Sequence, residues 1–119
     1  MQISLYHNPR CSKSRAALAL LRDAGVEPTL IDYLNTPPSL DSLTLLVGLL
    51  GLSPRALLRT REAEYQTLNL AQPDLTDAAI LTALHQHPRL LERPIAVRDD
   101  IRAVIGRPPE RVLELLDHG

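Results

Sequence analysis

Hydrophobic and polar residues follow strand and helix patterns at the start of the chain. Residues 3–6 alternate apolar and polar side chains, and residues 29–33 form a second short apolar stretch. Between them, residues 14–24 carry an apolar helical pattern that stops at Gly25, a residue common after a helix end. This strand–helix–strand order predicts a βαβ unit with two parallel strands.

The middle of the chain predicts helices and no strand. Ser39 is a candidate N-cap for a helix over residues 40–50, and Thr76 is one for a helix over residues 77–87. Between them, Pro54 opens a short helix that Arg59 closes. We expect this block, about residues 39–90, to be a helical insertion.

Strand patterns return near the end of the chain. Residues 94–97 and 101–105 flank a turn at residues 99–100, which predicts a hairpin, and residues 106–109 open a last helix. The order β-α-β, helical block, β-β-α predicts an α/β fold with a small sheet of parallel and antiparallel strands. We expect residues 1–119 to form one domain.

Composition narrows the possible functions. The chain has 119 residues, 45% hydrophobic content and a net charge of −1, which argues against a nucleic-acid-binding surface. We find no apolar run of about 18 residues and no signal-peptide pattern at the start, so we expect no membrane segment and a cytoplasmic location. With one cysteine, the chain cannot form an internal disulfide.

That cysteine, Cys11, lies where the first strand ends and the first helix begins. The first turn of a helix presents unpaired N–H groups and the positive end of the helix dipole, and both stabilise a thiolate. Four residues nearby add positive charge or hydrogen-bonding capacity: His7, Arg10, Lys13 and Arg15. The position therefore predicts an acidic, nucleophilic thiol beside an anion-binding loop.

Other interpretations of this segment remain open. A lone cysteine is commonly a buried inert thiol, and His7 could be a surface histidine at a strand end. Ser14 stands where a Cys-x-x-Cys motif would have its second cysteine, so a redox cycle would need an external resolving thiol. A phosphatase Cys-x5-Arg loop is not matched, because Arg15 follows Cys11 by four positions.

Three arginines stand out by their context. Arg59 ends the predicted short helix, Arg93 precedes the third strand, and Arg107 precedes the last helix. Each could equally be a solvated surface charge, and spacing alone does not bring them to Cys11. His85 and His87 do not share a helix face, so they do not form a pair of metal ligands, and we expect no metal site. We also expect no bound cofactor.

Three segments together resemble the ArsC family of glutaredoxin-coupled arsenate reductases. They are residues 6–11 with Ser14 and Arg15, residues 55–59, and residues 93–95 followed by 107–108. The resemblance covers almost the whole chain and implies a thioredoxin-like fold with a helical insertion. It also implies a cis peptide bond before Pro94.

The resemblance implies a role for each candidate residue. Cys11 would attack arsenate or a similar oxyanion, and His7 would help to keep the thiol ionised. The oxyanion clamp would consist of Arg59, Arg93 and Arg107, and the supporting residues would be Asn8, Ser14 and Arg15. Glutathione would be the co-substrate and glutaredoxin the partner that removes it.

Two alternatives accompany this interpretation. One is a non-catalytic regulator like the Spx branch of the same fold, although that branch generally uses Cys-x-x-Cys and Ser14 does not fit it. The other is a thiol oxidoreductase that acts on a different substrate. It is motivated by Arg10, Ser12 and Lys13, which differ from the family's common motif.

Overall fold

The computed structural model describes residues 1–116, and residues 117–119 lie outside the described part. The strands are β1 (Ile3–Tyr6), β2 (Thr29–Ile31), β3 (Ile95–Arg98) and β4 (Arg102–Ile105). The α-helices are α1 (Ser12–Asp23), α2 (Leu40–Leu50), α3 (Ala63–Thr67) and α4 (Asp77–Gln86). Three 3-10 helices span Pro54–Leu57, Pro88–Leu90 and Pro109–Leu116.

The chain divides into two compact units. The first unit contains Met1–Thr36 and the chain from Arg93 onward, and the second is Pro37–Glu92. The single domain over residues 1–119 stays a prediction. Within residues 1–116, no helix combines the length and apolar character needed to cross a membrane.

The four strands form one mixed sheet in the order β2-β1-β3-β4. β1 pairs in parallel with β2 and antiparallel with β3, and β3 pairs antiparallel with β4. The predicted βαβ unit and the predicted hairpin are therefore confirmed. Asp99 and Asp100 make the hairpin turn with φ of 54° and 56°, values that Asp tolerates better than most residues.

The core of the first unit is aliphatic and lies between the sheet, α1 and the last 3-10 helix. It is built from one or two small or branched side chains of each element. Its buried members are Ile3, Leu5, Ala17, Leu21, Ala96, Val104, Val112 and Leu115. Because β1 is central in the sheet and buries Leu5 completely, the C-terminal end of β1 has a firmly packed base.

Local signals predicted the second unit well. The Ser39 hydroxyl accepts a hydrogen bond from the N–H of Ser42, and Gly51 ends α2 with φ of 66°. The Thr76 hydroxyl accepts a hydrogen bond from the N–H of Ala79 at the start of α4. Both predicted caps are confirmed.

The predicted short helix ending at Arg59 is wrong in its extent. The 3-10 helix stops at Leu57, and Leu58 is extended and forms an antiparallel bridge with Leu91. Leu57 and Leu58 are both buried, so the apolar pair reflects packing rather than a continuing helix. As expected, residues 37–92 contain no strand, and the bridge is an isolated one; α3 was not predicted.

Gly106 and Gly48 differ in the space around them, which predicts opposite effects of alanine. A Cβ at Gly106 would lie 2.8 Å from Pro94 Cγ and 3.0 Å from Val112 Cγ1, whereas one at Gly48 in α2 would meet nothing within 4 Å. We expect Gly106→Ala to lower the free energy of unfolding by about 1–3 kcal/mol through overpacking. We expect Gly48→Ala to raise it by about 0.5–1 kcal/mol, because alanine favours a helix interior.

Urea denaturation of both variants measures these changes. A Gly106→Ala protein as stable as the parent would show that the contacts with Pro94 and Val112 relax without cost.

Candidate active site around Cys11

The turn between β1 and α1 places Cys11 at the start of the helix. The N–H of His7 donates to the carbonyl of Ile31 at 3.1 Å, which extends the pairing of β1 with β2 by one residue. Asn8 then closes the turn with two hydrogen bonds. Its side-chain oxygen accepts from the N–H of Arg10, and its carbonyl accepts from the N–H of Cys11, each at 3.0 Å.

Cys11 is the N-cap residue of α1, with an extended backbone and a partly exposed side chain. Burial raises the pKa of the Cys11 thiol, but the other influences outweigh it and the pKa lies below its usual value. The backbone N–H groups of Ser14 and Lys13 stabilise the thiolate, although they form no strict capping hydrogen bond with sulfur. The Arg93 side chain adds a hydrogen bond and its positive charge.

A buried hydrogen-bond network lies under this turn. Ser14 is fully buried, and its hydroxyl oxygen accepts from the N–H of Asn8 at 3.0 Å. The same oxygen lies 2.6 Å from Nδ1 of His7. Ser14 therefore ties the turn to the first turn of the helix and brings its own N–H towards the Cys11 sulfur.

His7 contacts Ser14 rather than Cys11. Burial lowers the pKa of His7, and the charges of Arg22 and Arg15 lower it further. The imidazole is therefore neutral near pH 7, and with its proton on Nε2 it accepts a hydrogen bond from the Ser14 hydroxyl at Nδ1. In this arrangement His7 orients the network without adding a positive charge.

Two of the three predicted arginines lie together in the first unit. The peptide bonds Arg93–Pro94 and Arg107–Pro108 are both cis; the first was implied by the resemblance and the second was not foreseen. Nε of Arg107 donates to the carbonyl oxygen of Arg93 at 2.7 Å. Because the Arg93 side chain interacts with Cys11, this contact connects Arg107 to the thiol site.

The remaining cations of the turn differ in their contacts. Nη1 of Arg15 donates to the carbonyl of Pro9 at 2.9 Å and braces the outside of the turn. Arg10 and Lys13 are exposed, and no ion pair with a carboxylate in residues 1–116 is formed by either.

Arg59 belongs to the second unit and lies among carboxylates. Its Nε is 3.2 Å from Oε1 of Glu62, and its Nη1 is 3.6 Å from Oε1 of Glu92. Neither glutamate was predicted from the sequence, although Glu62 follows Arg59 by only three positions.

Metal binding gains no support from the described part of the chain. No group of three or more His, Cys, Asp or Glu residues within residues 1–116 could hold a metal ion. Nδ1 of His85 lies 2.7 Å from the carbonyl oxygen of Pro38, which gives this histidine a structural contact within the second unit.

Comparison with known proteins places the chain among relatives of similar length and fold. The model of the ArsC family matches residues 6–115. The chain belongs to the ArsC family. Its mixed sheet with surrounding helices is the thioredoxin-like fold of that family, as the resemblance implied.

Individual relatives are similar to this chain over almost their whole length. The chain is 48% identical to the Escherichia coli protein YfgD over 116 residues, covering 97% of each. It is 44% identical to an arsenate reductase of Neisseria meningitidis over 116 residues, covering 97% of this chain and 98% of the relative. The solved arsenate reductase from Vibrio cholerae is 49% identical, with a TM-score of 0.92 over 96% of this chain and 97% of that one.

The lowered pKa of Cys11 predicts fast alkylation at neutral pH. Because only the thiolate reacts, the rate of reaction with iodoacetamide should rise with pH and reach half its maximum at a lower pH than for an ordinary thiol. Arg93→Ala removes a stabilising cation and hydrogen-bond donor and should move that midpoint to higher pH.

Arg111→Ala is the matched control for this measurement, since Arg111 pairs with Glu114 and is no cause of the Cys11 shift. A midpoint that is the same in the parent and the Arg93→Ala protein would contradict the role of Arg93.

The buried network predicts that Ser14 stabilises the fold. Ser14→Ala leaves the N–H of Asn8 and Nδ1 of His7 without their partner, and we expect a loss of about 1–3 kcal/mol in unfolding free energy. The exposed Ser12 supplies the control, because Ser12→Ala should change stability by no more than about 0.5 kcal/mol. Urea denaturation distinguishes the two, and equal stability of both variants would argue against the network.

Proposed function

We propose that this protein reduces arsenate to arsenite with Cys11 as nucleophile, glutathione as co-substrate and glutaredoxin as protein partner. The observation that carries the proposal is the lowered pKa of Cys11, caused in part by Arg93, in a turn closed by Asn8. Membership of the ArsC family and similarity to proteins named arsenate reductase support the choice of substrate.

The first step uses the thiolate. The Cys11 sulfur attacks arsenic and forms an S–As bond, while one arsenate oxygen takes up a proton and leaves as water. Arg93, already beside the sulfur, would stabilise the oxyanion charge and orient arsenic in line with the attacking atom. The oxidation state of arsenic does not change in this step.

The second stage transfers two electrons. Two external thiols, glutathione and then glutaredoxin or a second glutathione, supply them and become joined in one disulfide. Arsenic gains the two electrons, the bond to Cys11 breaks, and arsenite and the free thiol are released. Because Ser14 occupies the position of a second cysteine, an external resolving thiol is part of the proposal.

We assign oxyanion binding to Arg59, Arg93 and Arg107. The Nε contact of Arg107 with the Arg93 carbonyl supports the assignment for these two residues, because it holds Arg107 beside Arg93, whose side chain stabilises the Cys11 thiolate. For Arg59 the support is the family resemblance of the segment that contains it.

The remaining predicted residues receive supporting roles. Asn8 closes the turn, Ser14 connects it to the helix, Arg15 braces it and His7 orients the Ser14 hydroxyl. A reducing cytoplasm would keep the single thiol of Cys11 in its reactive form, which supports the proposed location.

Cys11→Ser tests the proposed mechanism directly. In a mixture of arsenate, glutathione, glutaredoxin, glutathione reductase and NADPH, we expect the parent protein to oxidise NADPH and Cys11→Ser to fall to the background rate. Serine keeps the shape of the turn but is not ionised near pH 7, so it cannot attack arsenic.

Ser12→Ala controls for a change in the same turn and should keep parental activity. If Cys11→Ser remains active, the covalent step is wrong. If the parent protein fails to use arsenate although its thiol has the predicted low pKa, the substrate is wrong and the regulator or another oxidoreductase activity is favoured.

A further inference from the structure

The backbone around Arg59 is held by a short antiparallel pairing within the second unit. Leu58 bridges to Leu91, and the N–H of Arg59 donates to the carbonyl of Leu90 at 2.7 Å. In return, the N–H of Glu92 donates to the carbonyl of Leu57 at 2.8 Å. Since both leucines of the bridge are buried, the Cα of Arg59 has a fixed position and only its side chain needs orienting.

Carboxylates orient that side chain. Oε1 of Glu62 accepts from Nε of Arg59 at 3.2 Å, and Oε1 of Glu92 lies 3.6 Å from Nη1. The side chains of Arg59 and Glu62 are only 20% and 16% exposed, so their contact is shielded from water more than a surface ion pair would be. Glu62 therefore defines the direction of the guanidinium.

A carboxylate beside an anion-binding group would normally oppose the anion. Glu62, however, uses its second oxygen for another cation, since Oε2 lies 3.0 Å from Nη2 of Arg89. Nε of Arg89 also lies 3.9 Å from Oε2 of Glu64. Glu62 thus has an arginine on each oxygen, and Arg89 offsets the negative charge that Glu62 brings to Arg59.

We propose that Glu62 is a positioning residue that holds Arg59 ready to bind the oxyanion, with Arg89 balancing its charge. This inference rests on the proposed role of Arg59 in arsenate binding. Its physical basis is conformational entropy, because a long flexible arginine must lose rotamer freedom when it binds a ligand. Glu62 imposes that loss before arsenate arrives, so the binding energy of arsenate is not spent on ordering Arg59.

Two substitutions of Glu62 separate positioning from charge. Glu62→Gln keeps a carbonyl oxygen at the same reach and removes the charge, whereas Glu62→Asp keeps the charge and withdraws the oxygen by one methylene. If Glu62 positions Arg59, Glu62→Asp and Glu62→Ala should weaken arsenate binding about threefold to tenfold, the range of the ordering cost of one long side chain. Glu62→Gln should stay within about twofold of the parent.

Binding is measured by calorimetry with arsenate, in proteins that also carry Cys11→Ser so that no covalent adduct forms. Glu64→Ala is the matched control, because it removes a carboxylate that contacts Arg89 and has no contact with Arg59. We expect it to bind arsenate within about twofold of the parent. Urea denaturation of every variant shows whether it is folded.

Arg59→Ala distinguishes failure of this inference from failure of the proposed function. If Arg59 binds arsenate and Glu62 acts through it, Arg59→Ala weakens binding and adding Glu62→Ala weakens it no further. Unchanged binding in Arg59→Ala would reject the role of Arg59 itself. Weakened binding in Arg59→Ala together with parental binding in Glu62→Asp, or with an equal effect of Glu62→Ala in both backgrounds, would reject the positioning role alone.

Discussion

The site depends on one constraint, the stabilisation of a thiolate at the first turn of α1. Partial burial by itself would make the Cys11 thiol less acidic, because burial raises its pKa. Fixed donors reverse that effect, namely the N–H groups of Lys13 and Ser14 and the Arg93 side chain. Each donor is effective only because the turn between β1 and α1 holds the sulfur in one place.

Two features of the fold keep this turn rigid. The central strand β1 is packed on an aliphatic core, and its last pairing interaction extends to His7. The fully buried Ser14 hydroxyl then joins the turn to the helix through the N–H of Asn8 and the ring of His7. Buried polar groups of this kind stabilise a structure only when they are satisfied, and this small network satisfies its members with one another.

Arg107 and Arg59, each within its own unit, are anchored in two different ways. Arg107 is anchored through Nε to the carbonyl of Arg93, so a backbone oxygen orients it without adding charge. Arg59 is anchored through Nε to a carboxylate, and a second arginine then offsets the charge of that carboxylate. Both arrangements use the Nε edge of the guanidinium.

Local chemistry made much of this protein predictable from its sequence. Caps such as Ser39 and Thr76 act within one turn of helix, and the strand–helix–strand order at the start has few other solutions. The position of Cys11 at a helix start was visible for the same reason. The short helix was predicted too long because buried Leu57 and Leu58 have the same pattern in a helix as in an extended bridge.

The contacts between side chains of different segments could not be predicted from local sequence patterns, because only the tertiary structure forms them. Arg93 reaches Cys11, and Arg107 reaches the Arg93 carbonyl, only because the sheet brings the segment before β3 to the end of β1. The burial of Ser14, the neutral state of His7 and the contact of Arg59 with Glu92 follow likewise from tertiary packing. The physical reason is that hydrogen bonds and ion pairs depend on distances of a few ångströms, and only the folded chain defines those distances.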